Sequence, residues 1–339
     1  MKSGNSILLK NFWHLICHRS EVAKARDFVR LDVAGEEVVA FHDGSDVIAF
    51  NNMCPHRGTR IFDGNSGNAP FRCRYHGWSF SNGKLFIGDK SQFAHCVSDE
   101  IQLQQFQTAW IGDFLFTSEN PMLSLTEQLG EQYDVVEKIS LSIDRREDLD
   151  SYQYNCEWQI ALENALESYH VGVVHPNTLN NLKLAKGQDR FDGFNSSWLT
   201  EVGDIALSKR LAKMKRFFDI EYQHEGYVNI LLFPFTMLSS TFGYSYSVQH
   251  FTPSLEIDRC HFVSRLFSAK VSATTKRELF ASFFRSTAEI NRQVFAEDNA
   301  ICGRIPSRSW ASSPPRLFAD SERRILHFRQ SYIKALGLN

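Results

Sequence analysis

The chain has 339 residues and a formal net charge of −2 at pH 7. This balance gives no reason to expect a nucleic acid or an anionic membrane surface as a partner. The hydrophobic fraction of 43% supports a full core, and the length has room for two domains. No window approaches the roughly 18 apolar residues of a membrane span, and the N-terminus lacks the apolar run of a signal peptide.

The cysteines favour a reducing compartment. There are seven of them, an odd number scattered along the chain, whereas a secreted disulfide scaffold is short and dense in cysteine. We therefore expect a cytoplasmic protein. Cys54 and Cys73 belong to the motif described below, and we expect the remaining thiols to be buried.

The first third of the chain predicts a small antiparallel β domain. Short runs rich in β-branched and aromatic residues alternate with turn signals, and Asn82-Gly83 is a strong hairpin signal. The predicted strands cover residues 12–17, 28–33, 37–41, 47–50, 105–111 and 114–117. Asn120-Pro121 marks the boundary region, and we predict domains at 1–118 and 119–339.

Two short Cys/His pairs in this domain predict a metal site. Cys54 and His56 form a C-x-H pair, and Cys73 and His76 form a C-x-x-H pair. Two thiolates and two imidazoles suit either a Cys2His2 zinc site or a 2Fe–2S cluster with both histidines on one iron. Zinc sites of this composition usually pair like ligands, whereas each loop here supplies one of each kind. This arrangement favours the cluster.

The stretch 54–78 resembles the Rieske motif, with Pro-His-Arg-Gly in the first loop and Tyr-His-Gly-Trp in the second. The resemblance implies one 2Fe–2S cluster per chain. Cys54 and Cys73 are then the ligands of the buried iron. His56 and His76 are the ligands of the iron that faces outward.

The second part of the chain mixes strands and helices. A strand at 151–156 leads into a helix at about 158–170, and antiparallel strands are predicted at 227–233, 236–241, 244–251 and 259–267. Helices at about 274–305 and 321–336 follow them. Residues 180–220 are polar, basic and predicted to be irregular. That segment is either a solvated surface or a flexible cover over a pocket.

A second group of polar residues lies within the predicted helix at 158–170 and just after it. On a regular helix Glu163, Glu167 and His170 share one face. His175 lies five residues after His170, about 140° around an ideal helix, so a regular helix would not direct both imidazoles at one ion. Gly172 permits a deformed turn between them. Taken alone, two histidines beside an acid are more often packed or surface residues.

The segment 163–176 resembles the iron-binding segment in α subunits of Rieske non-haem iron oxygenases. The resemblance implies that His170 and His175 are ligands of a mononuclear Fe(II). Glu167 takes the place of an acid that bridges, in that family, to a Rieske histidine of the neighbouring subunit. That histidine corresponds to His76. Glu167 is therefore the expected inter-subunit electron bridge.

A carboxylate far downstream is expected to be the third iron ligand. Asp298 follows Glu297 on the predicted C-terminal helix, and the two residues resemble the family's Glu-Asp pair, in which Asp is usually the ligand. Glu297 is the competing candidate. Two histidines and one carboxylate leave open positions on iron for O2 and substrate.

The resemblance also implies a fold and an assembly. We expect an α+β protein with an all-β Rieske domain followed by a helix-grip (START/Bet v 1-like) catalytic domain, which has a long antiparallel sheet and C-terminal helices. We expect a homotrimer. The sequence shows no Gly-rich dinucleotide fingerprint between a strand and a helix. NAD(P)H and flavin are therefore expected on a partner, a ferredoxin or flavin reductase.

The implied activity is that of a terminal oxygenase. It uses O2 and electrons from its partner to hydroxylate or oxidatively demethylate a small apolar or aromatic substrate. The compact length favours a monooxygenase over a dioxygenase. Candidate pocket residues are Asn164, Phe233, Phe235, Met237 and Phe242, and core packing explains the apolar ones equally well. Two alternatives stay open: a Rieske-type electron carrier with a non-catalytic binding domain, and a zinc-stabilised binding protein.

Overall fold

The computed structural model describes residues 2–33, 36–81, 84–93, 101–311 and 317–337. These residues form two compact units. One unit is Leu9–Met122, and the other contains the described residues before Leu9 and those from Leu123 onward. The division therefore falls a few residues beyond the predicted boundary, and the first residues of the chain join the second unit.

The Leu9–Met122 unit is built from antiparallel strands. Seven of them form one sheet in the order β1-β9-β8-β4-β3-β2-β5, and β6 pairs with β7 in a separate hairpin whose predicted turn, Asn82-Gly83, lies outside the described residues. The strands are β1 (His14–His18), β2 (Asp27–Val33), β3 (Glu36–His42), β4 (Val47–Asn51), β5 (Ser66–Asn68), β6 (Ser79–Ser81), β7 (Lys84–Phe86), β8 (Gln105–Ile111) and β9 (Phe114–Ser118).

An aromatic core underlies the two Cys/His loops of this unit. Phe50 and Phe71 stack with ring centroids 4.4 Å apart, and Phe62 packs against both. Each buried Phe contributes roughly 1.5–3 kcal/mol of hydrophobic free energy. Cys54 and Cys73 belong to the same buried cluster. The loops are thus anchored on a rigid apolar base.

The second unit combines a large antiparallel sheet with helices. Its strands follow the order β10-β17-β16-β15-β14-β12-β11, and β13 pairs with β17. The strands are β10 (Ile143–Tyr154), β11 (Gln188–Asp192), β12 (Asn195–Thr200), β13 (Phe218–Asp219), β14 (Tyr227–Leu232), β15 (Thr236–Thr241), β16 (Ser245–Pro253) and β17 (Cys260–Val271). Helix α1 (Lys2–Asn11) begins in this unit and ends in the other. The remaining helices are α2 (Leu125–Leu129), α3 (Gln132–Ser142), α4 (Trp158–Ala165), α5 (Val171–Val174), α6 (Ile205–Met214), α7 (Ala281–Cys302), α8 (Ser307–Ala311) and α9 (Arg323–Ala335).

Helix α4 is buried at the centre of this unit. All of its residues from Trp158 to Glu163 are buried. Trp158 is fully buried and packs edge-on against Phe235 and Phe328, at centroid distances of 4.9 and 5.8 Å. Its indole Nε1 donates a hydrogen bond to Asn5. The sheet and α9 therefore hold α4 from several sides.

Helix α7 has 22 residues and is about 33 Å long at the usual rise per residue. Phe295 packs on Phe262 of β17, and Arg292 donates hydrogen bonds to Asp148 of β10 at 2.7 and 2.9 Å. These contacts fix α7 against the sheet and thereby place Glu297 and Asp298. No helix in the described ranges is long and apolar enough to cross a membrane.

Two expectations about local structure are wrong. The segment 180–220 contains β11, β12, α6 and β13, so it is not irregular throughout, although its basic side chains are exposed. The helix at 158–170 ends early, because α4 stops at Ala165 and α5 begins only at Val171. Of the cysteines outside the motif, Cys96 lies outside the described residues, and the others are buried, as expected: Cys17, Cys156, Cys260 and Cys302.

A mostly buried ion pair joins α4 to α9. Arg329 donates from Nε and Nη2 to the two oxygens of Glu163, each at 2.7 Å, and Trp310 of α8 donates to the same carboxylate at 2.6 Å. Burial raises the pKa of Glu163, and the hydrogen bonds from Arg329 and Trp310 oppose this effect. The pair satisfies a carboxylate that would otherwise be costly to bury.

Replacing Glu163 with Ala leaves the Arg329 guanidinium without its partner. We expect the free energy of unfolding of the second unit to fall by about 3 kcal/mol, measured by urea denaturation. The exposed Glu289 of α7 is a matched control, and Glu289→Ala should change stability by less than about 0.5 kcal/mol. Equal losses in the two variants would contradict the role of the ion pair.

Candidate active site

Helix α5 joins the two histidines of the second motif, and the chain leaves helical geometry at the second one, His175. His170 precedes α5 with helical φ and ψ, whereas His175, at the end of α5, has φ −116° and ψ 48°. Glu163 is directed to Arg329 on α9, so it does not share a face with Glu167 and His170 as a continuous helix would require. The predicted common face is therefore wrong, and Gly172 lies within α5, so the predicted departure from helical geometry occurs at His175 and not at Gly172.

His170, His175 and Asp298 converge on one point. One ligand atom from each residue lies within 4.8 Å of the other two. Asp298 Oδ1 is 2.9 Å from His175 Nε2 and 3.6 Å from His170 Nε2. Two imidazole nitrogens and one carboxylate oxygen at this spacing can bind a single metal ion on one side. Glu297, the competing candidate, is not part of this group.

Carboxylates hold the other nitrogen of each imidazole. Glu167 is hydrogen-bonded to His170 Nδ1, and Glu297 Oε2 lies 2.7 Å from His175 Nδ1. Thr178 donates a hydrogen bond to Glu297 at 2.9 Å. Such carboxylate–imidazole pairs fix the orientation of a metal-binding histidine and raise its basicity. Glu297 therefore supports a ligand instead of being one.

The electrostatics of the site favour a cation. Burial alone would lower the pKa of His175, but its contacts with Asp298 and Glu297 outweigh this and raise the pKa. Burial alone would raise the pKa of Glu297, but its hydrogen bonds, first with His175 and then with Gln293 and Thr178, lower it. Metal binding in such a site must displace a proton from His175, since only the neutral imidazole is a ligand.

A cavity opens beside the three converging residues. Asn164 lines it and donates a hydrogen bond to Asp298 Oδ1 at 2.8 Å. This catalytic cavity is lined by His170, His175 and Asp298 together with Asn164, Leu184, Trp198, Tyr227, Asn229, Gln249, Val294, Phe295 and Arg324, among others. Of the predicted pocket residues, the structure therefore places Asn164 in the cavity.

The four apolar pocket candidates do not line this cavity. Phe233 packs against Phe194 with ring centroids 5.3 Å apart, and Phe235 packs against Trp158. Met237 is fully buried, and Phe242 lines a separate cavity with Tyr244 and His224. Their apolar character therefore carries no information about the substrate.

The sheet presents polar side chains toward the cavity instead. Asn229, Ser239 and Ser247 lie directly opposite one another on β14, β15 and β16, and Gln249 lies opposite Ser264 on β17. Gln249 donates hydrogen bonds to the Ser247 and Ser239 hydroxyls at 3.2 and 3.4 Å. The period-2 alternation of the strands carries this signal, but the sequence does not show which face meets the cavity.

The sequence analysis also missed Arg324. This residue is 1% exposed and lines the cavity from α9. The signal was present, because Arg324, Phe328 and Tyr332 are spaced four residues apart and therefore share one helix face. A charged residue on the same helix face as buried aromatic residues is itself expected to be buried, and a buried charge is usually paired or functional.

The two Cys/His loops of the first unit have the same backbone hydrogen bonds. In the first loop Cys54 N donates to Thr59 O at 2.9 Å, and in the second Cys73 N donates to Trp78 O at 2.7 Å. Gly58 and Gly77 occupy the same turn position, with φ of 71° and 73°. Residues with a side chain rarely adopt this conformation, so both turns favour glycine.

The side chains of these loops fit a 2Fe–2S cluster. Cys54 and Cys73 are buried and each 2% exposed. Burial raises the pKa of the Cys54 thiol, the neighbouring Cys73 thiol raises it further, and backbone N–H groups from His56 and Arg57 oppose both effects. A bound metal ion would deprotonate such thiols.

The histidines of the loops fit the same cluster. The rings of His56 and His76 lie 4.5 Å apart, and His56 stacks on Trp78. The His56 Nδ1 atom is buried and lacks a hydrogen-bond partner among the described residues. A buried imidazole nitrogen without a partner is costly unless a metal ion binds it.

Two family matches cover most of the chain. Residues 12–92 match the Rieske [2Fe-2S] domain, and residues 136–337 match the ring hydroxylating alpha subunit (catalytic domain). The second match alone spans more than half of the chain. Together they confirm the predicted resemblance and the predicted α+β fold class.

Individual relatives are oxygenase subunits. The chain is 27% identical over 241 residues to the carnitine monooxygenase oxygenase subunit of Escherichia coli strain K12, covering 68% of this chain and 61% of that protein. It is 31% identical over 183 residues to the 2-halobenzoate 1,2-dioxygenase large subunit of Burkholderia cepacia, covering 49% of this chain and 38% of that protein. The chain thus spans less than two thirds of the length of these curated relatives.

A solved structure has the same fold. A quaternary ammonium Rieske monooxygenase, described in connection with carnitine oxidation and inter-subunit electron transfer, superposes with a TM-score of 0.74. The superposition covers 100% of this chain and 92% of the other at 18% sequence identity. At this identity the likeness shows the fold alone.

The geometry predicts different effects for the two neighbouring acids of α7. Asp298→Ala should abolish metal binding at this site, because it removes one of only three converging groups. Glu297→Ala should keep the metal and weaken its binding about 10–100-fold, because only the orientation of His175 is lost. Metal titration of the apo-protein, followed by elemental analysis, measures both effects. Retained metal in Asp298→Ala with loss in Glu297→Ala would reverse the assignment.

Proposed function

Since the chain belongs to the ring-hydroxylating α-subunit family and is a Rieske non-haem iron oxygenase, we propose that it is the terminal component of an electron-transfer system. The convergence of His170, His175 and Asp298 beside a lined cavity carries this proposal. An external ferredoxin or flavin reductase supplies the electrons. NAD(P)H and flavin are then bound by that partner.

The metal ligands come from both units. Cys54 and Cys73 hold one iron of the Rieske cluster, and His56 and His76 hold the other. The mononuclear iron is held by three residues of the second unit: His170, His175 and Asp298. When bound, the cluster supplies single electrons, and the mononuclear iron supplies open positions for activating O2.

Hydrogen bonds from neighbouring residues fix the orientation of the ligands at the mononuclear site. Glu167 and Glu297 orient the two imidazoles through their Nδ1 atoms. Asn164 orients the Asp298 carboxylate by donating to Oδ1, the oxygen that lies near both imidazoles. Preorganised ligands of this kind hold the geometry within the narrow limits that a functional metal site requires.

Glu167 is the proposed bridge between subunits. Its carboxylate accepts hydrogen bonds from the backbone N–H groups of Tyr169 and His170 and is bonded to the His170 ring. Each carboxylate oxygen can accept more than one hydrogen bond, so Glu167 can accept a further hydrogen bond from His76 of the partner subunit. Such a contact implies a homotrimer with head-to-tail contacts. The relative described with inter-subunit electron transfer supports a contact between subunits.

The proposed reaction inserts oxygen into a small organic substrate by hydroxylation or oxidative demethylation. Relatives act on carnitine and on 2-halobenzoate, which are both small carboxylates. We favour a monooxygenase over a dioxygenase because the relative with the longer match is a monooxygenase. The polar wall formed by Asn229 and Gln249 argues against a purely apolar substrate.

The oxygenase assignment predicts about three irons and two acid-labile sulfides per chain. With a reductase and a carboxylate substrate, O2 consumption should yield an oxygenated product. In His175→Ala, product formation should fall at least about 10³-fold, because the two remaining ligands, His170 and Asp298, are too few to hold the iron. Its visible spectrum should stay unchanged, since the cluster ligands lie in the other unit.

Two results would replace this assignment. Cluster absorbance with only two irons per chain and no oxygenated product, together with unchanged electron transfer through the cluster in His175→Ala, would indicate an electron carrier with a non-catalytic binding domain. A colourless protein that contains zinc and no sulfide would indicate a zinc-stabilised binding protein.

Glu167→Ala tests the bridge separately from metal binding. Both metal sites should remain loaded, while the oxidation of a reduced cluster by O2 and substrate slows at least about 100-fold. Glu167→Gln keeps a hydrogen-bonding group of the same length and should recover part of the rate. Stopped-flow absorbance at the cluster bands measures both variants. Undiminished cluster oxidation in Glu167→Ala would eliminate the bridge.

A further inference from the structure

Arg324 is a fully buried cation whose hydrogen-bond acceptors are all neutral. Its Nε donates to the Ser196 hydroxyl at 3.1 Å, Nη1 to the Asn229 side-chain oxygen at 2.8 Å and Nη2 to the Ser196 carbonyl at 3.3 Å. A guanidinium has five N–H donors, so these contacts leave two of them for another acceptor. Burial lowers the pKa of Arg324 to about 10, so it stays charged at neutral pH.

Two other arginines of this unit each have a carboxylate partner. Arg329 pairs with Glu163, and Arg277 pairs with Asp144 at 3.2 Å. Among the described residues, no carboxylate lies within 4 Å of Arg324. Asp189 of β11 is close enough to attract it, but Asp189 lines an outer groove and not the catalytic cavity. A buried charge without a partner is costly, which implies that an anion balances it during function.

The position of Arg324 connects it to the metal site. It lines the same cavity as His170, His175 and Asp298. A chain of hydrogen bonds joins the two ends of the wall. Asn229 accepts from Arg324 and donates to Ala165 O at 3.4 Å, and the adjacent Asn164 donates to Asp298. Arg324 and the three metal-binding residues therefore belong to one wall of the cavity.

We infer that Arg324 binds the carboxylate of the substrate and sets which end of that substrate faces the iron. This inference rests on the proposed oxygenase function and narrows its substrate class to small organic carboxylates. The planar guanidinium matches a carboxylate through two parallel hydrogen bonds, which fix orientation as well as position. The Asn229 and Gln249 side chains line the same cavity and make its wall polar near Arg324.

The inference is tested by binding measurements on the anaerobic holoenzyme. The probes are benzoate, 2-chlorobenzoate, glycine betaine and carnitine, each compared with its primary amide by isothermal titration calorimetry. The parent enzyme should bind at least one carboxylate more than tenfold tighter than its amide. Arg324→Gln should weaken that carboxylate at least 30-fold and change amide binding less than threefold. In turnover, KM for the carboxylate should rise more than kcat falls.

Two further variants separate substrate binding from a structural role. Asn229→Asp keeps Arg324 in place and gives it an internal carboxylate, so it should weaken carboxylate binding at least tenfold without loss of thermal stability. Arg323→Gln removes the same charge from the exposed neighbouring position and should change carboxylate binding less than threefold. If Arg324→Gln does not fold, the Asn229→Asp result decides.

The outcomes are independent of turnover. Carboxylates that bind Arg324→Gln or Asn229→Asp as tightly as the parent would overturn the inference, and so would a parent enzyme that does not distinguish any carboxylate from its amide. Iron content and product formation are measured on the same preparations. Failure of the oxygenase function would show there, whereas failure of the carboxylate site would show only in the comparison of carboxylate with amide.

Discussion

The interruption of the helix after Ala165, together with the end of helical geometry at His175, is the constraint on which the catalytic unit depends. On a continuous helix the imidazoles of His170 and His175 would diverge by about 140°. The residues between the two histidines form α5, but His175 itself has left helical geometry, and both Nε2 atoms lie near the same carboxylate oxygen of Asp298. The irregular backbone here is therefore a functional feature, of the kind that tends to occur at active sites.

Rigid packing on both sides maintains this interruption. Before it, Trp158 and the Glu163–Arg329 ion pair hold α4 in the core. After it, Glu297 binds the His175 ring and is itself held by Thr178. The metal-binding residues come from elements far apart in the chain, so their spacing depends on how the sheet positions α4 and α7.

The charged side chains of the cavity favour a cation in one region and an anion in another. Carboxylates surround the two imidazoles, and the site therefore favours a metal cation or, without it, a proton on His175. The cation Arg324 stands at another part of the same cavity wall, with neutral partners only. The cavity thus has one region that suits a metal ion and another that suits an anion. A substrate with one carboxylate can bind Arg324 through that group while another part of it faces the metal site.

The sequence predicts what is local and misses what depends on tertiary packing. The loops at Cys54 and Cys73 are predictable because ligands, turn and glycine lie within a few residues of each other. The end of α4 is not, because residues 158–170 have no strong helix-stop signal at Ala165 and tertiary contacts decide it. The cavity face of the sheet depends on strand register, so the sequence alone does not show that Asn229 and Gln249 line the cavity while the turn residues Phe233 and Phe235 do not.

A single-turnover experiment tests the central claim most directly, namely that the cluster and the mononuclear site of this chain act together on a small carboxylate. The cluster is reduced chemically, the reductant is removed, and the protein is mixed with O2 and the tightest-binding carboxylate. We predict that the cluster is oxidised and that oxygenated product forms in a fixed ratio to the chains, without any reductase. Cluster oxidation at the same rate in protein that lacks the mononuclear metal, with no product, would contradict the account.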